Sequence, residues 1–287
     1  MSKIRKLKRE EFPSQLLEIP QPPKELYIEG DLPGADYIFL TVVGSRKFSQ
    51  YGKEACEKII TGLRGEKVVI ISGLALGIDT IAHKAALDAG VPTIAVPGSG
   101  LDRKVLHPHS NKNLADEIVR CGGALLSELE PTMPAGIHTF PERNRIMAGL
   151  SKAILVIEAQ ERSGTTITAR LATEYNRDLL AVPGSIFSLN SGGTNRLIKQ
   201  GATPISSTDD LLEALGLSRK DNKNQIDISE LSPHEIKILE LLSIQAMTKD
   251  DLVRSASISP SEINVILSIM EIKRLIRESC GKIEREI

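Results

Sequence analysis

The feature that most constrains the fold is a regular alternation of short apolar runs with helical stretches over residues 37–207. The runs are continuous in apolar character and rich in β-branched residues, which is typical of strands buried on both faces. They occupy residues 38–43, 68–72, 93–96, 124–127, 153–157, 179–182 and, more weakly, 203–205. Helices between such strands predict a parallel sheet of right-handed βαβ units. The expected fold class is α/β, with an extended Rossmann-like, mostly parallel sheet.

Charge and cysteine content limit the functions that such a fold could carry. The formal net charge is only −1, so any nucleic-acid binding must come from a local basic patch rather than from the field of the whole molecule. The three cysteines, Cys56, Cys121 and Cys280, are far apart and form no CxxC pair, which argues against a disulfide framework or a zinc site. No signal peptide and no long apolar segment is present, so we predict a cytoplasmic protein without membrane contact.

The remaining segments suggest four parts. Residues 1–35 form a Pro-rich N-terminal extension, in which the prolines argue against a helix of any length. The basic stretch 3–9 is interpreted as a solvated tail rather than a nucleic-acid arm, because two glutamates follow it directly. Residues 36–217 make the Rossmann-like domain, and the polar residues 218–227 make a linker.

Residues 228–287 have the pattern of a small winged-helix domain. Ser232, Thr248 and Ser259 each stand where a helix cap is needed, and a hairpin is predicted around Gly281. Acidic residues outnumber basic ones in this segment, and the third predicted helix has no Arg or Lys before its end. Because phosphate neutralisation dominates duplex affinity, a protein-contact or regulatory role is favoured, with duplex-DNA binding as the alternative.

Small residues follow almost every predicted strand. In a parallel sheet the carboxyl ends of the strands meet at one edge, where ligands bind. The loops at this edge contain Gly44-Ser45-Arg46, Ser72-Gly73, Gly98-Ser99, Ser163-Gly164-Thr165 and Pro183-Gly184-Ser185. Any one of them is ordinary turn chemistry, but together they allow backbone N–H groups and helix N-termini to approach an anion closely. We therefore predict an anion-binding rim along this edge.

The helix that begins near Phe140 supplies charge to that rim. Arg143 and Arg145 flank Asn144 just after Pro141, which makes a poor core segment and a good anion site. Phe140 is either a base-stacking side chain or part of the core. The loops lack the spacing of a Walker A motif and of GxGxxG, so a nucleoside-triphosphatase or a dinucleotide site is disfavoured, and no cofactor is expected. Asp79 and His83 have metal-compatible spacing, but a structural helix pair is the favoured interpretation.

Several of these motifs, taken together, resemble a known family. They are Val43-Gly44-Ser45-Arg46, Ser72-Gly73-Leu74-Ala75, Gly77-Ile78-Asp79, Gly98-Ser99-Gly100-Leu101-Asp102, Phe140-Pro141-Glu142-Arg143-Asn144-Arg145, Val156-Ile157-Glu158-Ala159 and Ala181-Val182-Pro183-Gly184. Over residues 13–207 the chain resembles the DprA family, also called Smf, the DNA-processing proteins of bacterial transformation. The resemblance implies a homodimer that binds single-stranded DNA, protects incoming strands and helps to load RecA recombinase during natural transformation.

The resemblance and the rim together define the predicted site. The residues expected to contact phosphate or DNA are Gly44, Ser45, Arg46, Ser72, Gly73, Gly98, Ser99, Phe140, Arg143, Asn144, Arg145, Ser163, Gly164 and Thr165. The main alternative is a nucleotide-derivative-binding protein or a nucleoside-phosphate hydrolase of the lysine-decarboxylase-like (LOG) group. Those hydrolases require a catalytic Glu just after a Gly-Thr loop, whereas Gly164-Thr165 is followed here by Thr166. Glu128 and Glu158 are interpreted as partners of an Arg or of a loop amide, and no enzymatic activity is predicted.

Overall fold

The computed structural model describes residues 3–161, 164–217, 231–242, 247–256, 258–272, 275–279 and 282–285. The chain divides into two compact units, Met1–Ser218 and Arg219–Ile287. Within the described ranges no helix is both long enough and apolar enough to cross a bilayer.

The larger unit is built on one nine-stranded sheet. Its strands are β1 (Arg5–Lys6), β2 (Tyr27–Gly30), β3 (Ile38–Val43), β4 (Val68–Ser72), β5 (Thr93–Ala95), β6 (Ala124–Ser127), β7 (Ala153–Val156), β8 (Asp178–Ala181) and β9 (Thr203–Pro204). Their spatial order is β1-β2-β6-β5-β4-β3-β7-β8-β9. Strands β3 to β9 pair in parallel throughout, and β1 and β2 add an antiparallel edge. The predicted α/β class with a mostly parallel sheet is confirmed.

Helices cover both faces of this sheet. They are α1 (Ser14–Leu17), α2 (Gln50–Thr61), α3 (Ile78–Ala89), α4 (Lys112–Arg120), α5 (Thr139–Leu150), α6 (Thr165–Glu174), α7 (Gly192–Lys199) and α8 (Thr208–Ala214). Apolar residues of α2, α3 and α8 belong to one buried cluster, and those of α1, α5 and α6 belong to another. Within β4, Val69 and Ile71 join the second of these clusters and Val68 and Ile70 the first, because successive side chains point to opposite faces. This two-sided burial explains the continuous apolar runs.

The strand order places a switch point beside β3. From β3 the chain moves outward through β4, β5 and β6 on one side, and through β7, β8 and β9 on the other. Connections that leave in opposite directions open a crevice at the carboxyl ends of the central strands. The order of the strands therefore determines where a ligand can enter.

The N-terminal segment forms part of the sheet. β1 pairs with β2 and β2 pairs with β6, both antiparallel. Leu7 is buried, and its backbone amide donates to the Leu26 carbonyl at 2.8 Å. Leu16 is also buried, and it packs against Gly149 of α5, where an added Cβ would meet it at 3.0 Å. The interpretation of residues 3–9 as a solvated tail is therefore wrong, because their pairing partner lies about twenty residues away and leaves no local pattern.

The second unit contains three helices and a hairpin. These are α9 (Pro233–Leu242), α10 (Lys249–Ala256), α11 (Pro260–Ile272), β10 (Ile276–Ser279) and β11 (Lys282–Arg285), the two strands being antiparallel. The hydroxyl oxygens of Ser232, Thr248 and Ser259 accept hydrogen bonds from the backbone amides three residues further on, at 3.3, 3.2 and 3.3 Å. The predicted helices and their caps are confirmed. The predicted linker 218–227 and the turn at Gly281 lie outside the described residues.

Candidate nucleic-acid interface

A cavity of about 640 Å³ opens at the carboxyl ends of β3, β4 and β7, at the switch point of the sheet. Four chain segments converge on it: the loop after β3, the turn between β4 and α3, the first turns of α5, and the start of α6. The polar and aromatic lining residues include Ser45, Arg46, Lys47, Asp79, Phe140, Arg143, Asn144 and Gln160, together with Gly44 and Gly164. Seven of the fourteen predicted site residues therefore line one cavity.

Arg46 and Phe140 form the outer wall of this cavity. The Arg46 side chain is exposed, and its guanidinium carbon lies 5.5 Å from the centroid of the Phe140 ring. Phe140 is half-buried, and an added Cβ at Gly98 would overlap its ring. Gly98 thus makes room for Phe140, and the ring lines the cavity rather than the core. A cation over an aromatic face contributes about 0.5–1 kcal/mol at an exposed site, which helps to orient both groups.

Arg143 lies at the base of the cavity and is only 9% exposed. Its Nη1 donates to the Val96 carbonyl at 2.5 Å, while its buried Nε has no hydrogen-bond partner within the protein. A side chain at Gly73 would overlap the guanidinium, so this glycine creates the space that Arg143 fills. Burial lowers the pKa of Arg143 to about 10, with Asp79 opposing the shift and Arg46 adding to it. The guanidinium remains protonated at neutral pH and contributes a fixed positive charge to the cavity.

Asp79 holds the loop after β4 and faces the charge of Arg143. Its Oδ2 accepts hydrogen bonds from the amides of Gly73 at 3.0 Å and Ala75 at 3.4 Å. Burial raises the pKa of the Asp79 carboxyl, and Arg143 and these two amides oppose that shift. Because a buried charge is costly unless it is compensated, Asp79 and Arg143 stabilise each other within the wall of the cavity.

His83, one helical turn beyond Asp79, has a separate role. Its Nδ1 shares a hydrogen bond of 2.7 Å with the Thr93 hydroxyl, and its Nε2 is buried without a partner. Burial, with a contribution from Arg143, lowers the pKa of His83 to about 3. Asp79 and His83 thus each make a structural contact, but not with each other. In the described part of the chain no cluster of three His, Cys, Asp or Glu could hold a metal ion.

Arg145 is separated from the cavity. Its guanidinium pairs with both carboxylate oxygens of Glu128 and donates to the Gln21 carbonyl at 2.7 Å. Residues two apart on a helix do not share a face, so Arg143 and Arg145 point in different directions. Glu128 balances an arginine as expected, and it leaves Arg145 only 16% exposed.

Two of the predicted serines act within the fold. The buried Ser72 hydroxyl donates to the Val42 carbonyl at 2.7 Å, and the buried Ser99 hydroxyl donates to the Gly100 carbonyl at 3.0 Å. Both hydroxyls stabilise the turns that follow their strands. The predicted contact of these serines with a ligand is not supported by this geometry, because each hydroxyl hydrogen already donates to a backbone carbonyl.

The start of α6 is described only in part. Gly164 is exposed and lines the cavity. Ser163 and the side chain of Thr165 lie outside the described residues. Asn144 is half-buried and lines the cavity next to Arg143.

One residue of the site, Lys47, was not among the predicted contacts. Lys47 is exposed and lines the cavity beside Arg46, which doubles the accessible positive charge on the loop after β3. Its place directly after Gly44-Ser45-Arg46 was the available signal. Glu158 holds the end of the same loop. Its carboxylate accepts hydrogen bonds from the Ser49 amide at 2.9 Å and from the Ser49 hydroxyl at 2.5 Å. The predicted bond from Glu158 to a loop amide is confirmed.

The fold and the cavity define the class of protein: a Rossmann-like α/β protein with cationic side chains at its strand switch point and a small helical unit with a hairpin. Residues 3–216 match the family model described as DNA recombination-mediator protein A, and residues 227–282 match the DprA winged helix domain. The chain belongs to the DprA family. The predicted membership and the winged-helix assignment are confirmed.

Similar proteins include Protein Smf of Escherichia coli (strain K12), 45% identical over 208 residues. That alignment covers 71% of this chain and 54% of the relative, so the chain spans about half of that protein's length. The DNA processing protein DprA of Streptococcus pneumoniae is 46% identical over 202 residues, which is 70% of each chain.

Two solved structures are also similar. The X-ray structure of DprA from Streptococcus pneumoniae has a TM-score of 0.69 at 42% identity and covers 74% of each chain. A structure of DNA processing protein A from Helicobacter pylori, which concerns its single-stranded DNA binding mode, has a TM-score of 0.67 at 30% identity. It covers 75% of this chain and 98% of that one.

Proposed function

We propose that this chain binds single-stranded DNA at the cavity beside β3, without reading its sequence. The observation that carries the proposal is the side-by-side placement of two exposed cations, Arg46 and Lys47, with the Phe140 ring. Cations neutralise phosphates and an aromatic face stacks on any base, which is the combination that single-strand binders use. Membership of the DprA family and the single-strand binding of the Helicobacter pylori protein support this proposal.

The role proposed for each cationic residue depends on how exposed its side chain is. Arg46 and Lys47 can reach a phosphate directly, because both side chains are exposed. Arg143 is held by the Val96 carbonyl and acts from the base of the cavity as a fixed charge, with its buried Nε–H unpaired. The first turn of α6, which begins beside Gly164, adds the partial positive charge of a helix N-terminus. The predicted anion rim is thus proposed as a compact basic cavity.

The first test replaces Arg46 by alanine. We expect the affinity for an oligothymidylate to fall about tenfold at low salt, since a charged hydrogen bond contributes about 1.5–3 kcal/mol. Losing one phosphate contact should also reduce the salt slope of log K by about 0.7. Fluorescence anisotropy at two salt concentrations measures both quantities. Arg120→Ala is the matched control, because Arg120 is an exposed arginine on α4, away from the cavity. An unchanged affinity and slope in both Arg46→Ala and Lys47→Ala would refute the cavity as the binding site.

The second test compares single-stranded with duplex DNA on the whole chain. The described face of α11 carries Glu262, Val265 and Ile269 exposed, and α11 contains no Arg or Lys. This surface suits a protein contact better than a phosphate backbone, so we expect a clear preference for the single strand. Equal or tighter duplex binding would instead assign DNA recognition to the winged helix.

Cellular roles are proposed from the family. In this proposal the protein acts in the cytoplasm as a homodimer that protects incoming strands and helps RecA to assemble on them during natural transformation. The test is RecA filament assembly on single strands covered by a competing single-strand binder, with and without this protein. No acceleration of assembly would contradict the RecA part of the proposal and leave DNA binding intact.

We further propose binding without hydrolysis. Glu158 is 1% exposed, and both of its carboxylate oxygens accept hydrogen bonds from Ser49, so it is unsuited to general acid–base work. Incubation with nucleoside monophosphates should release neither base nor phosphate. Turnover that disappears in Glu158→Gln would overturn this proposal in favour of the hydrolase alternative.

A further inference from the structure

Exposed aromatic side chains are concentrated beside the basic cavity. The chain has five phenylalanines, four tyrosines and no tryptophan. Of these nine, Phe48, Tyr51 and Phe187 are the exposed ones, at 43%, 50% and 92%. Phe48 follows Lys47 directly in sequence, Tyr51 is three residues further on, and Phe187 lies in the segment 183–191 after β8. Large apolar side chains so exposed are costly in water and indicate a binding surface.

The segment 183–191 is fixed to the scaffold rather than loosely attached. Asn195 braces its start through two hydrogen bonds with Gly184, at 3.2 Å to the amide and 2.9 Å to the carbonyl. The Tyr51 hydroxyl donates to the Pro183 carbonyl at 2.6 Å. Phe187 therefore lies on a turn whose start is fixed by hydrogen bonds, so binding a partner would cost little conformational entropy in this segment.

The same segment is joined to the basic cavity. Asn190 donates to the Lys47 carbonyl at 2.9 Å and accepts from the Gln160 amide at 3.2 Å. Lys47 and Gln160 both line the basic cavity. A strand whose phosphates are held at Arg46 and Lys47 would pass over Asn190 on leaving in this direction.

A second cavity, of about 530 Å³, lies at this side of the first. Its lining residues are Ser49, Tyr51, Pro183, Gly184, Ser185, Ser188 and Ser191. The rings of Tyr51 and Pro183 provide flat apolar faces, and the serines provide hydroxyls, while no lysine or arginine takes part. This chemistry matches a nucleobase, with its flat face and polar edge, rather than a phosphate.

We propose that Tyr51, Phe187 and the serine-lined cavity form a second nucleotide subsite, which stacks a base of the single strand next to the phosphates bound at Arg46 and Lys47. This inference rests on the proposed function. The subsite extends the DNA path from the switch point of the sheet to the loop after β8. It also adds aromatic contacts to the one that Phe140 provides in the first cavity. Stacking is sequence-tolerant, so the subsite adds affinity without sequence preference.

The natural absence of tryptophan makes a direct test possible. In Phe187→Trp the new side chain is the sole tryptophan, and stacking against a base should quench its fluorescence in step with DNA binding. Leu17→Trp, at an exposed position of α1, is the matched control and should show no quenching. Because Phe187 is 92% exposed, neither Phe187→Trp nor the Phe187→Ser variant used below is expected to disturb folding.

Affinity measurements then separate this subsite from the first cavity. Phe187→Ser should weaken binding of a long oligothymidylate about tenfold and leave the salt slope unchanged, since no phosphate contact is lost. A short oligothymidylate that fills only the first cavity should bind Phe187→Ser as tightly as the natural protein. Arg46→Ala, by contrast, should weaken both oligonucleotides and lower the slope.

The outcomes distinguish the two proposals. If the natural protein binds single strands with an Arg46-dependent slope, but Phe187→Trp is not quenched and Phe187→Ser binds normally, the subsite is refuted and the proposed function stands. If the natural protein does not bind single strands at all, the proposed function itself fails. If Phe187→Ser binds DNA normally and converts a dimer into a monomer in sedimentation, this surface is a contact between copies, which also overturns the subsite.

Discussion

Asp79→Ala is expected to destabilise the larger unit by about 3 kcal/mol, since each buried amide left without an acceptor costs about 1–3 kcal/mol. The carboxylate is buried, faces Arg143 and accepts the amides of Gly73 and Ala75. Removing it leaves a buried guanidinium without a counter-charge and two amides without an acceptor. Urea denaturation followed by circular dichroism measures the loss as a shift of the larger unit's midpoint.

Two further variants test whether the pair, and not the cavity left by truncation, carries this effect. Asp88→Ala changes an exposed aspartate on the same helix, α3, and should alter the free energy of unfolding by no more than about 0.5 kcal/mol. In Asp79→Ala combined with Arg143→Met, the unpaired charge is gone, so the double variant should be more stable than the sum of the single losses predicts. Strict additivity would show that Asp79 and Arg143 act independently.

The stability of the larger unit should fall as the pH drops below about 6.5, because of His83. In the folded protein burial lowers the pKa of His83 to about 3, whereas an unfolded histidine has a pKa of about 6.5. Below pH 6.5 the unfolded chain therefore binds a proton that the folded chain does not. Stability from this group is fully present above pH 6.5 and is lost at up to about 1.4 kcal/mol per pH unit, down to about pH 3.

Denaturation midpoints measured between about pH 6.5 and pH 4 test this dependence. His83→Gln removes the titrating group, so unfolding should take up about one proton fewer in this pH range and the free energy of unfolding should depend less steeply on pH. This expectation holds whatever the substitution does to stability at neutral pH. His109→Gln is the control, since His109 is exposed in the same unit, and it should keep the slope of the natural protein. Equal slopes in the natural protein and His83→Gln would contradict the assigned role of His83.

Local patterns in the sequence were sufficient for most of the fold. Each predicted apolar run lies on one of the strands β3 to β9, and the runs of the central strands are apolar because both faces of those strands are covered. Helix caps at Ser232, Thr248 and Ser259 were also predictable, since a cap and its amide lie within one turn. The position of the candidate site followed from the parallel topology, which brings the loops after Val43 and Ser72 to the same edge.

Contacts between distant residues were decided only by the tertiary structure. The pairing of β1 with β2 and of β2 with β6 is made across the chain and has no local signature. Arg143 and Arg145 look equivalent in sequence, yet the sheet edge buries the first at the base of the cavity and Glu128 binds the second outside it. Composition also cannot show that the segment containing Phe187 lies against the loop of Lys47, because Asn190 joins the two segments across more than a hundred residues. Periodicity reports what one element buries, whereas the partner of each charge depends on how the elements pack.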